Sequence, residues 1–362
     1  MAMVLDITAD PRRLHGRGAL SNESGRYERE ARVLIDDGWE REDELPPLKT
    51  EILNDTARTI ITRNNSPDIS VEQSINPYRG CEHGCIYCFA RPSHAYMGLS
   101  PGADFESRLF AKPNAAELLA KELSAPGYVP KIIAMGTNTD PYQPIERNLR
   151  VTRSILEVLR DFNHPVGIVT KSALIQRDLD ILVPMAEKGL AKAAVSITTL
   201  DRKLARAMEP RASTPPRRLQ TIKALSDAGI PVAVMFAPVI PALNDEELEN
   251  VLSAAHAMGA KSAGYVLLRL PLEIKDLFRE WLESAEPGRA KHVMSLIRQM
   301  RGGKDYDSAW HTRMRGTGPY ASMIARRFHL AVKRLGMNRE GRPLDLHKFK
   351  RPPHLGEQLA LL

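Results

Sequence analysis

Short, uninterrupted apolar runs alternate along the chain with longer stretches in which apolar residues return every three or four positions. The runs read as strands and the periodic stretches as helices. Ile69 to Ile75 is a strand candidate that leads into a cysteine-bearing loop, and Ala115 to Leu123 is the helix after it. Five further runs begin at Lys131 (KIIAM), Pro165 (PVGIVT), Ala193 (AAVSI), Pro231 (PVAVMFA) and Ser262 (SAGYVLL), at separations of 34, 28, 38 and 31 residues. A βαβ unit takes roughly 30 residues, so the strands should be parallel, and continuous apolar runs suit strands covered on both faces. Val151, Ile155, Leu156 and Leu159, and Leu219, Ile222 and Leu225, mark two of the intervening helices. Asn244 followed by Glu247 looks like a capping box for a helix through Leu248, Val251 and Leu252, which Gly259 is placed to end. Six such units predict an α/β protein, an open, partial (β/α)6 barrel over residues 56–270. Residues 1–55 are polar and aperiodic, an irregular N-terminal extension. Residues 271–362 read as a C-terminal helical elaboration with a basic tail, its helices over Leu272–Leu282, Ala290–Met300 and Tyr320–Leu335.

Composition changes this picture little. Of 362 residues, 43% are hydrophobic and 26% charged, which excludes a disordered or collagen-like chain. The longest apolar run, Ile230 to Leu243, is broken by Pro231, Pro238 and Pro241 and is too short to span a bilayer. Met1 to Leu14 lacks the apolar core of a signal peptide and runs into Arg12 and Arg13, so a cytoplasmic location without membrane partners is expected. Fifty-one basic against 44 acidic residues give a net charge of +7, part of it concentrated at Arg326, Arg327, Lys333, Arg334, Arg339, Arg342, Lys348, Lys350 and Arg351. That excess suits a polyanion-binding rim, and equally a set of solvated helix faces.

The cysteines carry more information. All 3 lie in Cys81-Glu-His-Gly-Cys85-Ile-Tyr-Cys88, an odd count in one tight window, which excludes a disulfide framework and points to a metal or an iron-sulfur cluster. Zinc usually takes four protein ligands, and His83 as the fourth would be crowded between Cys81 and Cys85. A cuboidal cluster takes three thiolates from one loop and leaves its fourth iron open to a chelating cofactor.

With an aromatic residue, Tyr87, before the last cysteine, this C-x3-C-x2-C string resembles the fingerprint of the radical S-adenosylmethionine (SAM) superfamily. The wider string Asn76-Pro-Tyr-Arg-Gly-Cys-Glu-His-Gly-Cys-Ile-Tyr-Cys-Phe-Ala-Arg91, together with Gly16-Arg-Gly-Ala-Leu-Ser-Asn, is similar to an uncharacterised branch related to spore photoproduct lyase. The resemblance runs from about Gly16 to Gly336. It implies a partial radical SAM barrel and a 4Fe-4S cluster held by Cys81, Cys85 and Cys88. It also implies S-adenosyl-L-methionine cleaved reductively to a 5'-deoxyadenosyl radical, and a flavodoxin- or ferredoxin-type electron donor.

In parallel barrels the site forms at the carboxyl ends of the strands, and the unusual polar residues fall there. Thr137, Thr139 and Asp140 stand where the resemblance places a turn that bonds the methionine amino group; Asp140 before Pro141 equally suits a plain turn. Lys171 matches a strand-end lysine expected at the methionine carboxylate, with a solvated lysine as the bland reading. Ser196 is expected at the SAM ribose or methionine end, or bonded to backbone, and Tyr87 and Thr198 complete the cofactor candidates. Tyr142 and Glu146 are candidates for hydrogen-atom or proton transfer, with buried structural hydrogen bonds as the alternative. His83 should steady the cysteine loop, Arg269 ends the last strand, and Glu209-Pro-Arg211 with Arg217-Arg218 could hold an anionic substrate. With all three cysteines spent on one cluster, an auxiliary cysteine-ligated cluster, a cysteine-based methyl carrier and a protein thiyl radical are excluded unless another chain provides the sulfur, and the sequence holds no downstream cysteine of the kind spore photoproduct lyases use to return a hydrogen atom. Three readings stay open: a radical SAM enzyme of unassigned substrate, a radical lyase or modifier of DNA or RNA, and a non-enzymatic zinc or iron-sulfur protein.

Overall fold

The structure, a computed structural model, describes residues 2–5, 14, 16–33, 47–339 and 343–352. Near the amino terminus β1 (Ala2–Leu5) pairs in parallel with β2 (Glu30–Val33). β3 (Glu51–Asn54), β6 (Tyr78–Arg79) and β7 (Arg108–Ala111) form a three-stranded sheet, entered by the short helix α1 (Asp104–Ser107). The main sheet has seven strands. β5 (Gln73–Ile75), β8 (Ile133–Met135), β9 (Val166–Thr170), β10 (Ala191–Ser196), β11 (Val232–Val239) and β12 (Ser262–Leu267) are parallel neighbours in that order. β4 (Ile61–Arg63) adds antiparallel to the β5 edge. This is the partial six-unit barrel that the 30-residue spacing predicts.

Helices α2 (Ala115–Ser124), α3 (Glu146–Leu149), α4 (Val151–Asp161), α5 (Leu179–Glu187), α6 (Arg202–Met208), α7 (Pro215–Asp227) and α8 (Leu248–Ala257) connect the strands. Along β9 and most of β11, buried and half-buried residues alternate, so one strand face is covered, not two. Val166, Ile168, Val195 and Val234 join the helices in a single core, while the alternate set on the concave face includes the small residues Gly167, Ala194, Ala233 and Gly264. Small side chains there leave the lumen room.

Three expectations need correcting. Only Gln73–Ile75 of the proposed 69–75 strand pairs, because the preceding residues form the turn out of β4. Asn244 and Glu247 make no capping box. The Asn244 side chain accepts from Ile240 N (2.6 Å) and donates to Thr198 O (2.7 Å) and Pro238 O (3.0 Å), tying the ends of β10 and β11 together, and Glu247 accepts from Thr199 and Leu200. The N-terminal extension is not merely appended, since residues 17–22 are built into the site described below. The C-terminal helices appear as expected: α9 (Ile274–Ala285), α10 (Ala290–Gln299) and α11 (Gly318–Leu335). Ile274, Leu277, Phe278, Trp281 and Leu282 make the apolar stripe of α9 and bury against Ile86, Tyr87 and Met208, so this region walls the cysteine loop.

Part of the basic tail is tied down. Arg327 pairs with Glu249 (2.6 Å), Lys348 donates to Lys188 O (2.8 Å) and Arg351 to Ala125 O (2.8 Å); Arg342 lies outside the described residues. Among the described residues no helix is long and apolar enough to cross a membrane.

Two buried histidines give the fold an acid limit. Burial holds His94 and His164 near pKa 4, below their ordinary 6.5. Between those values the unfolded chain binds up to two protons more than the folded one, so stability is full above pH 6.5 and falls as pH drops toward 4. The slope from this pair reaches about 2.7 kcal/mol per pH unit. Thermal melts of cluster-free protein at pH 7, 5.5 and 4.5 should show a progressive fall in Tm; a flat profile would refute it.

Candidate active site

The cysteine loop follows β6 and crosses the carboxyl ends of the barrel strands. Local turns shape it: Gly84 N donates to Cys81 O (3.3 Å), Cys88 N to Cys85 O (3.1 Å) and Arg91 N to Cys88 O (3.1 Å). Longer-range bonds seat it. Cys81 N donates to Phe105 O (2.9 Å), Ile86 N to Met208 O (3.0 Å) and Arg211 N to His83 O (3.3 Å), while Gln143 bridges Glu82 N (2.8 Å) and Gly80 O (3.1 Å).

Beneath the loop lies a buried cage. Arg91 donates to Cys85 O (2.9 Å), Gly84 O, Pro101 O and Gly102 O, and pairs with Glu106. The Glu106 carboxylate also accepts from Gly18 N and Ala19 N, both at 2.8 Å, which straps the amino-terminal segment across the loop. Arg17 adds bonds to Glu106 O (2.7 Å) and Leu48 O (2.7 Å). The approach is so close that a Cβ at Gly18 would lie 1.7 Å from Gly84 O, and one at Gly84, where φ is +68°, 2.6 Å from Glu106 Oε2. Sequence reading did not find Arg91 and Glu106 as site residues; their one signal was charge inside otherwise buried stretches.

Cys81 and Cys85 are buried and Cys88 is partly open. Burial pushes the Cys81 thiol up, and the Cys85 thiol up to about 12 despite the nearby Lys171 cation, so these sulfurs stay protonated unless a metal replaces the proton. Among the described residues no three His, Cys, Asp or Glu side chains converge on a single ion. A cuboidal cluster instead takes one thiolate per iron. Three thiols on one rigid loop, with a cation beside Cys85, fit such a group.

The strand ends supply the surrounding residues. Asp140 accepts from Thr170 Oγ1 (2.7 Å), Lys171 N (2.7 Å) and Tyr142 N (2.9 Å), and lies 3.4 Å from His83 Nδ1. Burial alone would raise its pKa; His83 and these donors hold it down to about 2. Asp140 therefore organises the mouth, and its oxygens are already used. Thr139 Oγ1 donates to Tyr78 O (3.3 Å) and Thr137 Oγ1 to Asn76 Oδ1 (3.3 Å); Asn76 also accepts from Asn138 N.

Lys171 Nζ lies 5.7 Å from the centre of the Tyr87 ring and makes no hydrogen bond among the described residues. Burial opposes its charge, but Cys85 and Glu209 raise its pKa. Tyr87, Thr198 and Glu209 form a closed triangle: the Tyr87 hydroxyl and Thr198 Oγ1 (2.6 Å) both donate to Glu209 Oε1. Glu209 also pairs with Arg218, which donates to Ser196 O (3.0 Å), and Ser196 Oγ donates to Ala237 O (3.2 Å). Burial works against the Glu209 charge, yet Arg218 and Lys171 hold its pKa to about 2. Arg218 is thus an internal counter-ion and not a substrate ligand. Arg211, paired with Glu82 (3.0 Å), and Arg217 remain exposed.

Glu146 is not at the mouth. It is fully buried and accepts from Tyr78 Oη, Thr152 N (2.9 Å) and Arg177 (2.7 Å), which leaves it fixing α3 and α4 and no free oxygen for proton transfer. Tyr142 is buried as well, and burial and Asp178 push its phenol pKa up. It does border a cleft of about 400 Å³, whose walls also include His83, Arg147, Ser172, Arg211 and Arg217.

Residues 75–255 match the model of the radical SAM superfamily. An uncharacterised protein of Mycobacterium tuberculosis is 36% identical over 237 residues, 65% of this chain and 70% of that protein. One of Methanocaldococcus jannaschii is 28% identical over 199 residues, 55% of this chain and 71% of its own length. Among solved structures, spore photoproduct lyase complexed with dinucleoside spore photoproduct superposes with a TM-score of 0.55 at 15% identity, over 79% of this chain and 80% of the lyase. At that identity the likeness establishes the fold.

Proposed function

The chain belongs to the radical SAM superfamily, and from that premise we propose that it is an enzyme that holds a 4Fe-4S cluster through Cys81, Cys85 and Cys88 and cleaves S-adenosyl-L-methionine reductively. The observation that carries this reading is the placing of all three cysteines, on one braced loop over the strand ends, next to a half-buried lysine whose ammonium has no hydrogen-bonding partner among the described residues. A cluster held by Cys81, Cys85 and Cys88 would supply the single electron that cleaves the sulfonium C5'–S bond of SAM to methionine and a hydrogen-abstracting 5'-deoxyadenosyl radical.

The protein's own residues bind, orient and exclude water. Lys171 receives the methionine carboxylate, and Glu209 keeps the ammonium protonated for it. Thr137 Oγ1, which keeps acceptor capacity beside its bond to Asn76, is offered to the amino group in place of the saturated Asp140. Tyr87, Thr198 and Ser196 act one step back, by fixing the loop against β10. The N-terminal strap and α9 keep solvent from the cysteine loop, which protects a radical from stray donors. The electron comes from an acidic flavodoxin- or ferredoxin-type donor, for which the cleft beside His83, with Arg147, Arg211 and Arg217 on its walls, offers matching charge.

Lys171→Ala tests the cofactor reading directly. Losing a charge-assisted contact to a carboxylate costs about 1.5–3 kcal/mol, so SAM affinity should fall roughly ten- to a hundred-fold. Equilibrium binding of SAM to anaerobic, cluster-loaded protein measures it. Unchanged affinity in a variant with full iron content would remove Lys171 from the site.

A further inference from the structure

The side of the mouth formed by β12 carries a cation of a different kind. Several enclosed arginines are matched with carboxylates: Arg91 with Glu106, Arg218 with Glu209, Arg177 with Glu146, and Arg153 with Asp178. Arg269, just past the end of β12, forms no ion pair among the described residues. Its guanidinium carbon lies 4.8 Å from the centre of the Phe89 ring, and Phe89 directly follows Cys88. Its remaining contacts are weak, Nη2 to Tyr306 Oη at 3.4 Å and Nη1 to Met314 Sδ at 3.7 Å, and its Nε is buried with no partner. A buried guanidinium N–H left unbonded is costly, and no strong acceptor at the two Nη groups offsets it.

A second uncompensated charge adds to the first. Arg301 is buried, and its bonds go to backbone carbonyls, Leu268 O (2.7 Å) and Thr312 O (2.9 Å), where they cancel no charge. Its pKa is lowered by burial, and the repulsion of Arg269 acts in the same direction. Both side chains are held by the segment from residue 300 to 317, which also bonds Leu267 N through Met314 O (2.9 Å). The result is positive potential, fixed in place and beside the cysteine loop.

We infer that Arg269, held over Phe89, is a substrate-docking residue that receives an anionic group, a carboxylate or a phosphate, of the molecule processed at this site. The inference rests on the radical SAM reading for what happens to that molecule and on the geometry alone for the anion. Arg269 offers Nη1 and Nη2, both only weakly bonded, and this pair of donors can grip either anion in bidentate fashion, while Nε faces the interior. Its distance from Lys171 along the strand order, at β12 and not at β9, separates this anion from the carboxylate of SAM.

Phenyl phosphate, benzoate and phenol are the probes, titrated calorimetrically into holoenzyme loaded with cluster and SAM. At least one of the two anions should bind ten-fold or more tightly than phenol, and whichever is tighter identifies the group as phosphate or carboxylate. Arg269→Gln should abolish that preference. Arg269→Lys, which keeps the charge without the fork, should retain a few-fold preference and serves if the glutamine variant does not fold. The inference falls if the wild type shows no anion preference, if Arg269→Gln binds the anions as the wild type does, or if Arg269→Gln loses ten-fold in SAM affinity, which would place the arginine in the cofactor site. Formation of 5'-deoxyadenosine by the wild type is measured alongside. Its absence overturns the radical reading, and with it the substrate role of Arg269, whereas a wild type that forms 5'-deoxyadenosine but shows no anion preference overturns only the docking residue.

Discussion

Replacing Cys81, Cys85 or Cys88 singly by alanine should leave anaerobically reconstituted protein with little of the iron, about four atoms per chain, that the wild type takes up. The expected effect is close to all-or-none because the chain has no spare thiol: the three cysteines of the loop are its entire cysteine content. Nearby acceptors cannot substitute. The Asp140 oxygens are taken by Thr170, Lys171, Tyr142 and His83, and Glu209 is locked to Arg218, Tyr87 and Thr198. Two thiolates on a loop whose backbone is already fixed cannot close round three irons. Iron and acid-labile sulfide per chain, with the visible absorbance of the loaded protein, measure the loss, and SAM cleavage should disappear with it. Full iron in any of the three variants would refute the ligand assignment, while stoichiometric zinc in the wild type would revive the non-enzymatic alternative.

A large loss of stability is expected from Glu106→Gln. That carboxylate is fully buried, pairs with Arg91 and accepts the strap amides of Gly18 and Ala19. The amide keeps the shape and removes the charge, so the Arg91 guanidinium stays buried without its counter-ion, a change that costs about 3–5 kcal/mol. For a chain of this size that is a fall of roughly 4–7 °C in Tm. Gly18→Ala is an independent route to the same defect, since its methyl would have to displace Gly84 O from 1.7 Å away. In both variants the loaded cluster should bleach faster in air than in the wild type. A Tm within a degree of wild type for Glu106→Gln would show that the cage is not what seats the loop.

How far the sequence could be read depended on the range of the interactions. The parallel strands and the cysteine loop were legible because each is written locally, in apolar runs such as PVGIVT or in eight consecutive residues. The two faces of the strands were not, because Val, Ala and Gly look alike in a run whether they meet a helix or an open lumen. Glu146 stands a few residues after the mouth loop and invites a catalytic reading. What decides its role is Tyr78, 68 positions back, and Arg177, 31 ahead. Arg218 and Glu209 could be picked out as charges near the mouth, but not as partners of each other in place of a substrate. The cage is the extreme case. Arg91, Glu106 and Gly18 are ordinary residues until the chain folds and brings them together, and no periodicity announces them.

The strap also imposes a timetable. Gly18 and Ala19 bond a carboxylate 88 and 87 positions downstream, so they leave the ribosome long before their seat exists. Until residue 106 has emerged, the segment has nothing to bind, and the cysteine loop lacks the wall that later shuts it in. The strap waits only for residue 106, whereas the seats of the loop on Gln143, Met208 and Arg211 and its wall from α9 lie further along the chain, so the amino-terminal side of the site can close first and the barrel side last.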